Sequence, residues 1–301
     1  MRHILFRIPL LDWPIFGYGA MMVVAFLAAI WFAARRAKRT GFNPDHIYTL
    51  GLVSLISGII GARVFFVVHY WTDFRDHLWS VFDVRGGGLE FYGGFITAVV
   101  AIMVYVWKKH LGVRRVLDLL APSVALGLGF ARIGCFLNGC CFGGPVDVAW
   151  AVRFPFASPA YVYQWEHGLV EPPKDLTRIG PDGKRIPLNR DQIQPRHEDL
   201  AAKHYALPVH PTQLYSMLSA WILAVILVLY SNRPKLRPGQ IFAMLLMLYA
   251  LTRFGLEWIR VDNPVELTGL TISQNIAVGT FILGLALWLI FRRSSCDKSL
   301  P

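Results

Sequence analysis

Apolar residues fill seven long stretches of this chain, and short polar clusters separate one stretch from the next. Each stretch is close to the roughly 20 residues that an α-helix needs to cross the hydrocarbon core of a bilayer. The pattern predicts an all-α polytopic membrane protein with a single transmembrane domain over residues 1–301. The predicted spans are residues 17–34, 47–70, 91–107, 116–137, 212–230, 240–259 and 271–291.

The composition agrees with a membrane protein. Apolar residues make up 55% of the chain and charged residues only 16%, far from the usual balance of a soluble domain. The formal net charge of +11 is also typical of nucleic-acid-binding proteins, but here the basic residues lie between apolar runs and form no basic face. We interpret the charge as a determinant of membrane orientation and expect no nucleic-acid partner.

The basic residues predict the orientation of the spans, because cytoplasmic loops carry an excess of Lys and Arg. The short segments on the opposite side contain only Arg2, Arg7, Arg75, Arg85 and Arg260. We expect an external N-terminus, a cytoplasmic C-terminus and no cleavable signal peptide. The fourteen residues assigned to the cytoplasmic side are Arg35, Arg36, Lys38, Arg39, Lys108, Lys109, Arg114, Arg115, Arg233, Lys235, Arg237, Arg292, Arg293 and Lys298.

A long polar segment separates the fourth and fifth spans. Residues 146–209 contain no apolar run that could cross a bilayer, and their part from Pro172 to Pro208 is polar and rich in proline. The segment lies on the external side in the predicted orientation. We expect a small external head or arm that is partly irregular.

Polar side chains within the spans concentrate in the halves that the predicted orientation places outside. An arginine within a span usually faces the protein interior or a wet cavity. A polar outer cavity with arginines and few acids fits the anionic headgroup of a lipid whose acyl tails remain in the bilayer. The converging residues are Tyr18, Arg63, Tyr92, Arg132, Asn138, His210, Gln213, Tyr249, Arg253 and Glu257.

Several of these residues also have a plain structural interpretation, and the sequence leaves it open. Gly58 and Gly61 suit close helix packing. Arg63 could reach the outer interface with its long side chain. Arg253 and Glu257 are spaced i, i+4 and could simply neutralise each other. The glycine-rich segment 86–94 is either a turn or a place where a ligand approaches the backbone.

Three of the four cysteines lie close together near the predicted outer end of the fourth span, and Cys296 lies on the predicted cytoplasmic side. Cys135, Cys140 and Cys141 form a C-x4-C-C pattern without a matching second pair, which is a weak zinc signature. We therefore expect packed, free thiols and predict no metal ion and no cofactor.

Three segments carry a resemblance to a known family: residues 129–143 (GFARIGCFLNGCCFG), 210–215 (HPTQLY) and 249–257 (YALTRFGLE). With them, the chain resembles the bacterial prolipoprotein diacylglyceryl transferases from Tyr18 through its last span. The resemblance implies a seven-span enzyme of the inner membrane, with its active site toward the periplasmic leaflet. Such an enzyme transfers the diacylglyceryl group of phosphatidylglycerol to the lipobox cysteine of a prolipoprotein, forms a thioether and releases glycerol phosphate.

The resemblance also implies roles for site residues. Arg132 and Arg253 match the arginines that handle the phosphate, and fixed cations stabilise charge that develops on a departing phosphate. Tyr92 and His210 are the other catalytic candidates, since arginine cannot act as a base. The expected substrate-binding residues are Tyr18, Arg63, Asn138, Gly143, Gln213, Tyr249 and Glu257.

The chain departs from the common family pattern at several positions. Tyr92 stands where many members have a histidine that is proposed as the base, and a phenol is a poor base at neutral pH. The base therefore stays open among Tyr92, His210 and an oxygen of the leaving group. Ser216 replaces a common Glu, and Cys135 and Cys140 stand where some members have Asn and Glu.

Two other functions are open alternatives. A transporter or binding protein for an anionic solute or lipid would also use arginines, but a transport path needs polar residues in the inner halves of the spans, where this chain has almost none. A different lipid-headgroup transferase would be expected to carry an acidic metal-binding cluster, which is absent from these spans.

Overall fold

The computed structural model describes residues 4–8, 13–75, 78–82, 88–180, 183–234, 236–263 and 269–293. Within these residues, seven helices are long and apolar enough to cross a membrane. They are α1 Gly17–Arg39, α2 Pro44–His69, α3 Phe91–Lys108, α4 Val113–Asn138, α5 Thr212–Ser231, α6 Gln240–Glu257 and α7 Ile272–Arg293. The seven predicted spans are confirmed.

The helix ends differ modestly from the predicted ones. The largest difference is at α1, which continues through the basic residues to Arg39, because a helix keeps its backbone hydrogen bonds after its apolar stretch has ended. The start of α2 is set by Asn43, whose side chain accepts a hydrogen bond from the Asp45 amide, and by Pro44 in the first turn. Some of the residues discussed above lie outside the part of the chain that the structure describes: Arg2, Arg85, Gly86, Gly87, Lys235, Cys296 and Lys298.

The chain divides into two compact units, one of residues Ala29–Ser123 and one of Met1–Ala28 with Val124–Pro301. In the smaller unit, α2 packs closely against α3. A Cβ atom on Gly61 would overlap Thr97 of α3, and one on Gly94 would lie 2.8 Å from the Gly58 carbonyl oxygen. The packing role expected for these small residues is confirmed.

In the larger unit, α6 packs against both α5 and α7. The segment between α4 and α5 has its own hydrophobic core, which includes the fully buried Phe154, Tyr161, Leu176 and Val209. Its regular elements are short: two helices, Pro159–Glu166 and Pro195–Ala201, and a two-stranded antiparallel sheet of β3 Thr177–Ile179 and β4 Arg185–Pro187.

A second small sheet precedes α1. Strand β1 Ile4–Ile8 pairs antiparallel with β2 Trp13–Phe16. The sequence predicts no strands here, because segments of this length contain too few residues to establish an alternating pattern. The membrane part is all-α as predicted, and the small sheets lie outside its helices.

Candidate active site

Three arginines of the larger unit form an electrostatic cluster. Arg132 of α4 interacts with Arg260, and Arg253 of α6 interacts with both. Arg132 and Arg253 line one pocket together with Tyr249 and Ser216. Like charges repel in a partly buried environment, so this arrangement favours a bound anion.

Arg132 stands out within the cluster. Its side chain is half-buried, and its guanidinium makes no hydrogen bond or ion pair with any described residue. A guanidinium presents five donors in a fixed fork that matches a phosphate or carboxylate. Arg132 therefore has its full binding capacity available for a ligand.

Arg253 is held on two sides. Its Nη1 lies 2.7 Å from Glu257 Oε2, and its Nη2 donates to Ser273 Oγ at 2.7 Å. Arg253 also lines a second pocket, between α6 and α7, with Tyr249 and Thr280. The predicted Arg253–Glu257 pair exists, and it fixes the guanidinium in one orientation.

Glu257 is a buried counter-ion, with 1% of its side chain exposed. Its Oε1 accepts hydrogen bonds from Asn263 and from Thr271 Oγ1, the latter at 3.0 Å. Its Oε2 lies 3.9 Å from Arg260 Nε. These partners occupy the carboxylate, so the geometry assigns Glu257 to holding arginines and leaves it little capacity for direct contact with a substrate.

Arg260 is the site residue that sequence reasoning missed, since it was counted only as an external basic residue. It forms a bidentate pair with Asp262, at 2.9 Å from Nε and 2.8 Å from Nη2. Burial opposes ionisation here, but the hydrogen bonds to Asp262 and the negative charges nearby together outweigh it and raise the pKa of Arg260. Its spacing from Glu257, i and i+3, was the signal available in the sequence.

The turn after α4, residues 139–144, connects the helix of Arg132 to two other backbone segments. The Gly143 amide donates to the His210 carbonyl at 3.0 Å, and the Gly144 amide donates to the Ile259 carbonyl at 2.9 Å. A Cβ atom on Gly143 would lie 2.6 Å from His210 Cβ. Only glycine fits this approach, so Gly143 shapes the turn, and its predicted role in substrate binding stays a prediction.

Two side chains at the start of α5 hold the same turn. Thr212 Oγ1 donates to the Cys141 carbonyl at 2.6 Å, and Gln213 Nε2 donates to the Cys140 carbonyl at 2.7 Å. Gln213 is fully buried. Its Oε1 has no hydrogen-bond partner among the described residues, so this acceptor is available to a ligand.

Asn138 ends α4 and faces the segment between α4 and α5. Arg190 of that segment donates to Asn138 Oδ1 at 3.3 Å and to its carbonyl at 2.8 Å. The sequence analysis did not identify Arg190, because nothing in its local pattern distinguishes it from a surface residue. The contact ties the segment to the end of the helix that carries Arg132.

Three cysteines, one in the last turn of α4 and two in the turn that follows it, lie close together. The Sγ atoms of Cys135, Cys140 and Cys141 are all within 4.8 Å of one another, and none of them forms a disulfide. Hydrogen bonds from Cys135 and Cys140 lower the pKa of the Cys141 thiol, and Arg260 and Arg132 add to this effect against the opposing effect of burial. Tyr18 of α1 interacts electrostatically with all three thiols.

His210 lies directly before α5 and is fixed by aromatic partners. Its Nδ1 lies 3.3 Å from the Tyr215 hydroxyl, which in turn accepts a hydrogen bond from Trp150 Nε1 at 2.8 Å. The imidazole is thus held on one side by a hydroxyl. The other ring nitrogen, Nε2, makes no hydrogen bond with a described residue.

Arg63 and Tyr92 belong to the smaller unit, whereas the other predicted site residues belong to the larger one. Arg63 donates to the carbonyls of Ser80, Val81 and Gly88 at 2.7, 2.6 and 3.0 Å. These bonds commit Arg63 to holding the loop before α3. Tyr92 is in the first turn of α3, and 69% of it is exposed.

A seven-helix membrane protein with a half-buried arginine cluster defines a class of proteins that handle anionic, lipid-linked groups. The chain matches the model of the prolipoprotein diacylglyceryl transferase family over residues 3–290. It belongs to this family, and it is therefore a multi-pass membrane transferase. The resemblance seen in the sequence is confirmed.

Individual relatives agree with the family match. A phosphatidylglycerol–prolipoprotein diacylglyceryl transferase of Clostridium tetani is 30% identical over 295 residues, which cover 97% of this chain and 98% of the relative. A protein of the same name from Chromohalobacter salexigens is 31% identical over 289 residues, covering 94% of this chain and 90% of the relative. The similarity extends over nearly the whole chain.

Proposed function

We propose that this protein transfers the diacylglyceryl group of phosphatidylglycerol to the thiol of the lipobox cysteine of prolipoproteins, the first step of lipoprotein maturation. The names of its relatives supply the substrates. The observation that carries the proposal is the half-buried Arg132, which is unpaired among the described residues and shares a pocket with Arg253.

The reaction is an alkyl transfer to sulfur. The cysteine thiolate attacks the glycerol carbon that bears the phosphate, a C–S bond forms, and the C–O bond to the phosphate breaks. The electron pair of that bond leaves with the phosphate oxygen, so glycerol phosphate is the second product. The thiol proton passes to a base, and the phosphorus itself is not transferred.

The arginines would act on the leaving group. Negative charge builds on the phosphate as the C–O bond breaks, and guanidinium groups already in place stabilise that charge without reorganisation. Arg132 and Arg253 are the residues assigned to this contact. Glu257 and Arg260 are assigned as positioning residues, because each is occupied by protein partners. Tyr18, Tyr249, Asn138, Gln213 and Gly143 form the surroundings of the headgroup in this proposal.

His210 is our preferred base. Its Nδ1 faces Tyr215, and when Nδ1 carries the proton that bonds Tyr215, Nε2 is free to accept the thiol proton. Tyr92 is proposed to hydrogen-bond the substrate, and Arg63 to hold the loop next to it. The hydrogen bond between Nδ1 and Tyr215 favours the tautomer in which Nε2 can act as the base.

The active site is proposed to open to the periplasmic leaflet, with residues 146–209 outside the membrane. The support is the distribution of Lys and Arg along the chain. Because the substrate lipid brings its own acyl tails, the protein needs only to bind the headgroup and let the tails remain in the bilayer. The proposed partners are thus the lipid bilayer, phosphatidylglycerol and a prolipoprotein signal peptide.

The test uses purified full-length protein in detergent with phosphatidylglycerol and a lipobox peptide. We expect the peptide mass to increase by one diacylglyceryl group, and glycerol phosphate to be released in equal amount. Alkaline hydrolysis should remove the acyl chains but leave the glycerol bound to sulfur, because a thioether is not an ester. A peptide with Ser in place of the lipobox Cys is the control and should stay unmodified. Release of free diacylglycerol without a modified peptide would contradict the proposal.

A further inference from the structure

Outside the proposed transfer chemistry, the structure contains one cluster of metal-ligating groups that the reaction does not use. The thiols of Cys135, Cys140 and Cys141 lie within 4.8 Å of one another. Thiolates bind zinc tetrahedrally at about 2.3 Å, which places two thiolates of one ion roughly 3.8 Å apart. A small adjustment of side chains brings all three sulfur atoms to that separation.

The backbone that carries the thiols is already fixed. The Cys140 and Cys141 carbonyls accept hydrogen bonds from Gln213 and Thr212 at 2.7 and 2.6 Å. The Cys140 amide donates to the Cys135 carbonyl at 3.2 Å. A ligand set on such a turn loses little freedom when it binds an ion.

The backbone conformation of Cys141 is a third feature that favours a functional site. Its φ is +59°, in the left-handed region that residues other than glycine, Asn and Asp seldom adopt. Gly139, two residues earlier, also has a positive φ of +81°. Strained residues of this kind cluster at functional sites, where the surrounding structure holds them in place.

The charges near the cluster suit bound thiolates. Arg132 and Arg260 both interact electrostatically with Cys141, and Arg132 interacts with Cys135. Three thiolates with one divalent ion carry a net charge of about −1, which a neighbouring guanidinium balances.

We propose that Cys135, Cys140 and Cys141 bind one thiophilic metal ion, with zinc the expected species. The ion would join the last turns of α4 to the turn that follows it. The proposal reverses the expectation drawn from the sequence. That expectation rested on cysteine spacing along the chain, whereas the fold brings the three side chains together in space.

The three ligands take no part in the transfer reaction proposed above, although Arg132 neighbours both sites. The role of the ion would be to fix the turn that carries Gly143 against the end of α4 at Asn138. Three protein ligands leave a fourth position for a water molecule, as in other open zinc sites. Because the thiols are only half-buried, an ion can enter from the surface.

The experiment measures metal binding by the full-length protein in detergent, without lipid or peptide. After removal of bound metal, zinc is added in competition with a chromophoric chelator. We expect about one zinc per chain for wild type, and at least tenfold weaker binding for Cys140→Ser and Cys141→Ser, because each substitution removes one of three ligands. Cys296→Ser, the matched control, should bind like wild type.

Two further measurements separate metal binding from misfolding. Cobalt added to the metal-free wild type should give thiolate-to-metal charge-transfer absorption, and zinc should raise the Tm of wild type but not that of Cys140→Ser. Wild type that binds no zinc, or a Cys296→Ser variant with the same loss, would overturn the proposal. So would thiols that react with maleimide only after reduction, since disulfides would then occupy the ligands. Neither metal binding nor the Tm depends on transferase activity, so both measurements are informative even if the proposed function is wrong.

Discussion

At the scale of single residues, the site depends on how few carboxylates face its guanidinium groups. Glu257 and Asp262 lie against Arg253 and Arg260, whereas Arg132 has no carboxylate within ion-pair distance among the described residues. The cluster thus has more positive than negative charge in a partly buried setting, where electrostatic interactions are weakly screened. This excess of positive charge favours a bound anion.

The first prediction concerns the fork of Arg132. Arg132→Lys keeps one positive charge but loses the bidentate geometry, so kcat should fall by about tenfold to a hundredfold. Arg253→Lys should have a similar effect, because its partners Glu257 and Ser273 are also arranged for a planar group. The measurement is the rate of thioether formation in the purified assay.

The matched control for both variants is Arg115→Lys. Arg115 donates to the Thr40 carbonyl at 3.1 Å and lies in the smaller unit, so its replacement should leave kcat unchanged. Full activity of both Arg132→Lys and Arg253→Lys would remove these residues from the reaction. Equal losses in all three variants would indicate a general sensitivity to loss of arginine.

The second prediction separates the two candidate bases. Tyr92→Phe removes only a hydroxyl, and we expect it to reduce kcat/KM with little change in kcat. His210→Gln should reduce kcat by about a hundredfold or more, in the range of general-base catalysis. The measurement is kcat and kcat/KM for both variants.

Tyr215→Phe provides the control for His210. The variant keeps the ring that packs near the imidazole but loses the hydroxyl 3.3 Å from Nδ1. We expect an intermediate loss of kcat, because the imidazole would remain but lose its orientation. Wild-type kcat in His210→Gln, with a loss of about a hundredfold in Tyr92→Phe instead, would transfer the role of base to Tyr92.

The sequence pointed to two arginines of the candidate site, but it could not predict the residues that the arginines contact. Arg132 and Arg253 could be predicted because an arginine within an apolar helix is costly and therefore conspicuous. Arg190 and Arg260 lie outside the spans, where an arginine has no such cost, and their contacts with Asn138 and Asp262 depend on the fold. Arg63 was correctly recognised as unusual, yet its carbonyl partners come from a loop with no distinctive pattern.

At the scale of elements, the closest helix contact in the smaller unit is between α2 and α3. Gly61 faces Thr97, whose hydroxyl donates to the Gly93 carbonyl at 2.7 Å. Small residues permit this approach, and helices in a bilayer associate largely through such packing. The i, i+3 spacing of Gly58 and Gly61 predicted the contact, but it could not reveal which glycine is indispensable.

The third prediction distinguishes these two glycines. Gly61→Ala should destabilise the protein by about 1 to 3 kcal/mol, because its Cβ atom would overlap Thr97 and overpacking carries a cost of this size. Gly58→Ala is the matched control. Its Cβ atom would lie 3.7 Å from the Gly94 carbonyl oxygen, an ordinary contact distance, so little change is expected. Thermal unfolding in detergent measures both, and equal Tm values would contradict the packing at Gly61.

Helix boundaries illustrate what the apolar pattern can and cannot specify. The spans themselves follow from hydrophobicity, and every one was found. The ends follow from capping and from basic residues beyond the bilayer, which a hydrophobic window does not detect. The short strands and helices between α4 and α5 form around a small core, and their arrangement depends on contacts between residues that are distant in sequence.

At the scale of the whole molecule, the predicted site residues lie at helix ends that the predicted orientation places on one side of the membrane. The predicted site residues occur near the end of α4, the start of α5 and the end of α6. In an alternating path through the membrane these ends share one side, opposite to the ends rich in Lys and Arg. The sequence therefore predicts the grouping of the site before any contact is known, although the orientation itself stays a prediction.

The last prediction tests that orientation. An alkaline phosphatase reporter, which is active only outside the cytoplasm, is inserted at Gly183 or at Gly41 of the full-length chain. Both glycines are in exposed turns with positive φ and no atom within 4 Å of an added Cβ, so both positions should tolerate an insertion. Gly183 lies in the segment predicted to be external, and Gly41 joins α1 to α2 next to basic residues.

We expect phosphatase activity from the Gly183 insertion and none from the Gly41 insertion, because Lys and Arg beside a span keep a loop in the cytoplasm. A green fluorescent protein fused after residue 301 should fluoresce, since it matures on the cytoplasmic side. The reverse pattern would place the arginine cluster toward the inner leaflet. Prolipoproteins and phosphatidylglycerol would then have to meet the enzyme from the cytoplasm, and the proposed periplasmic opening of the site would be wrong.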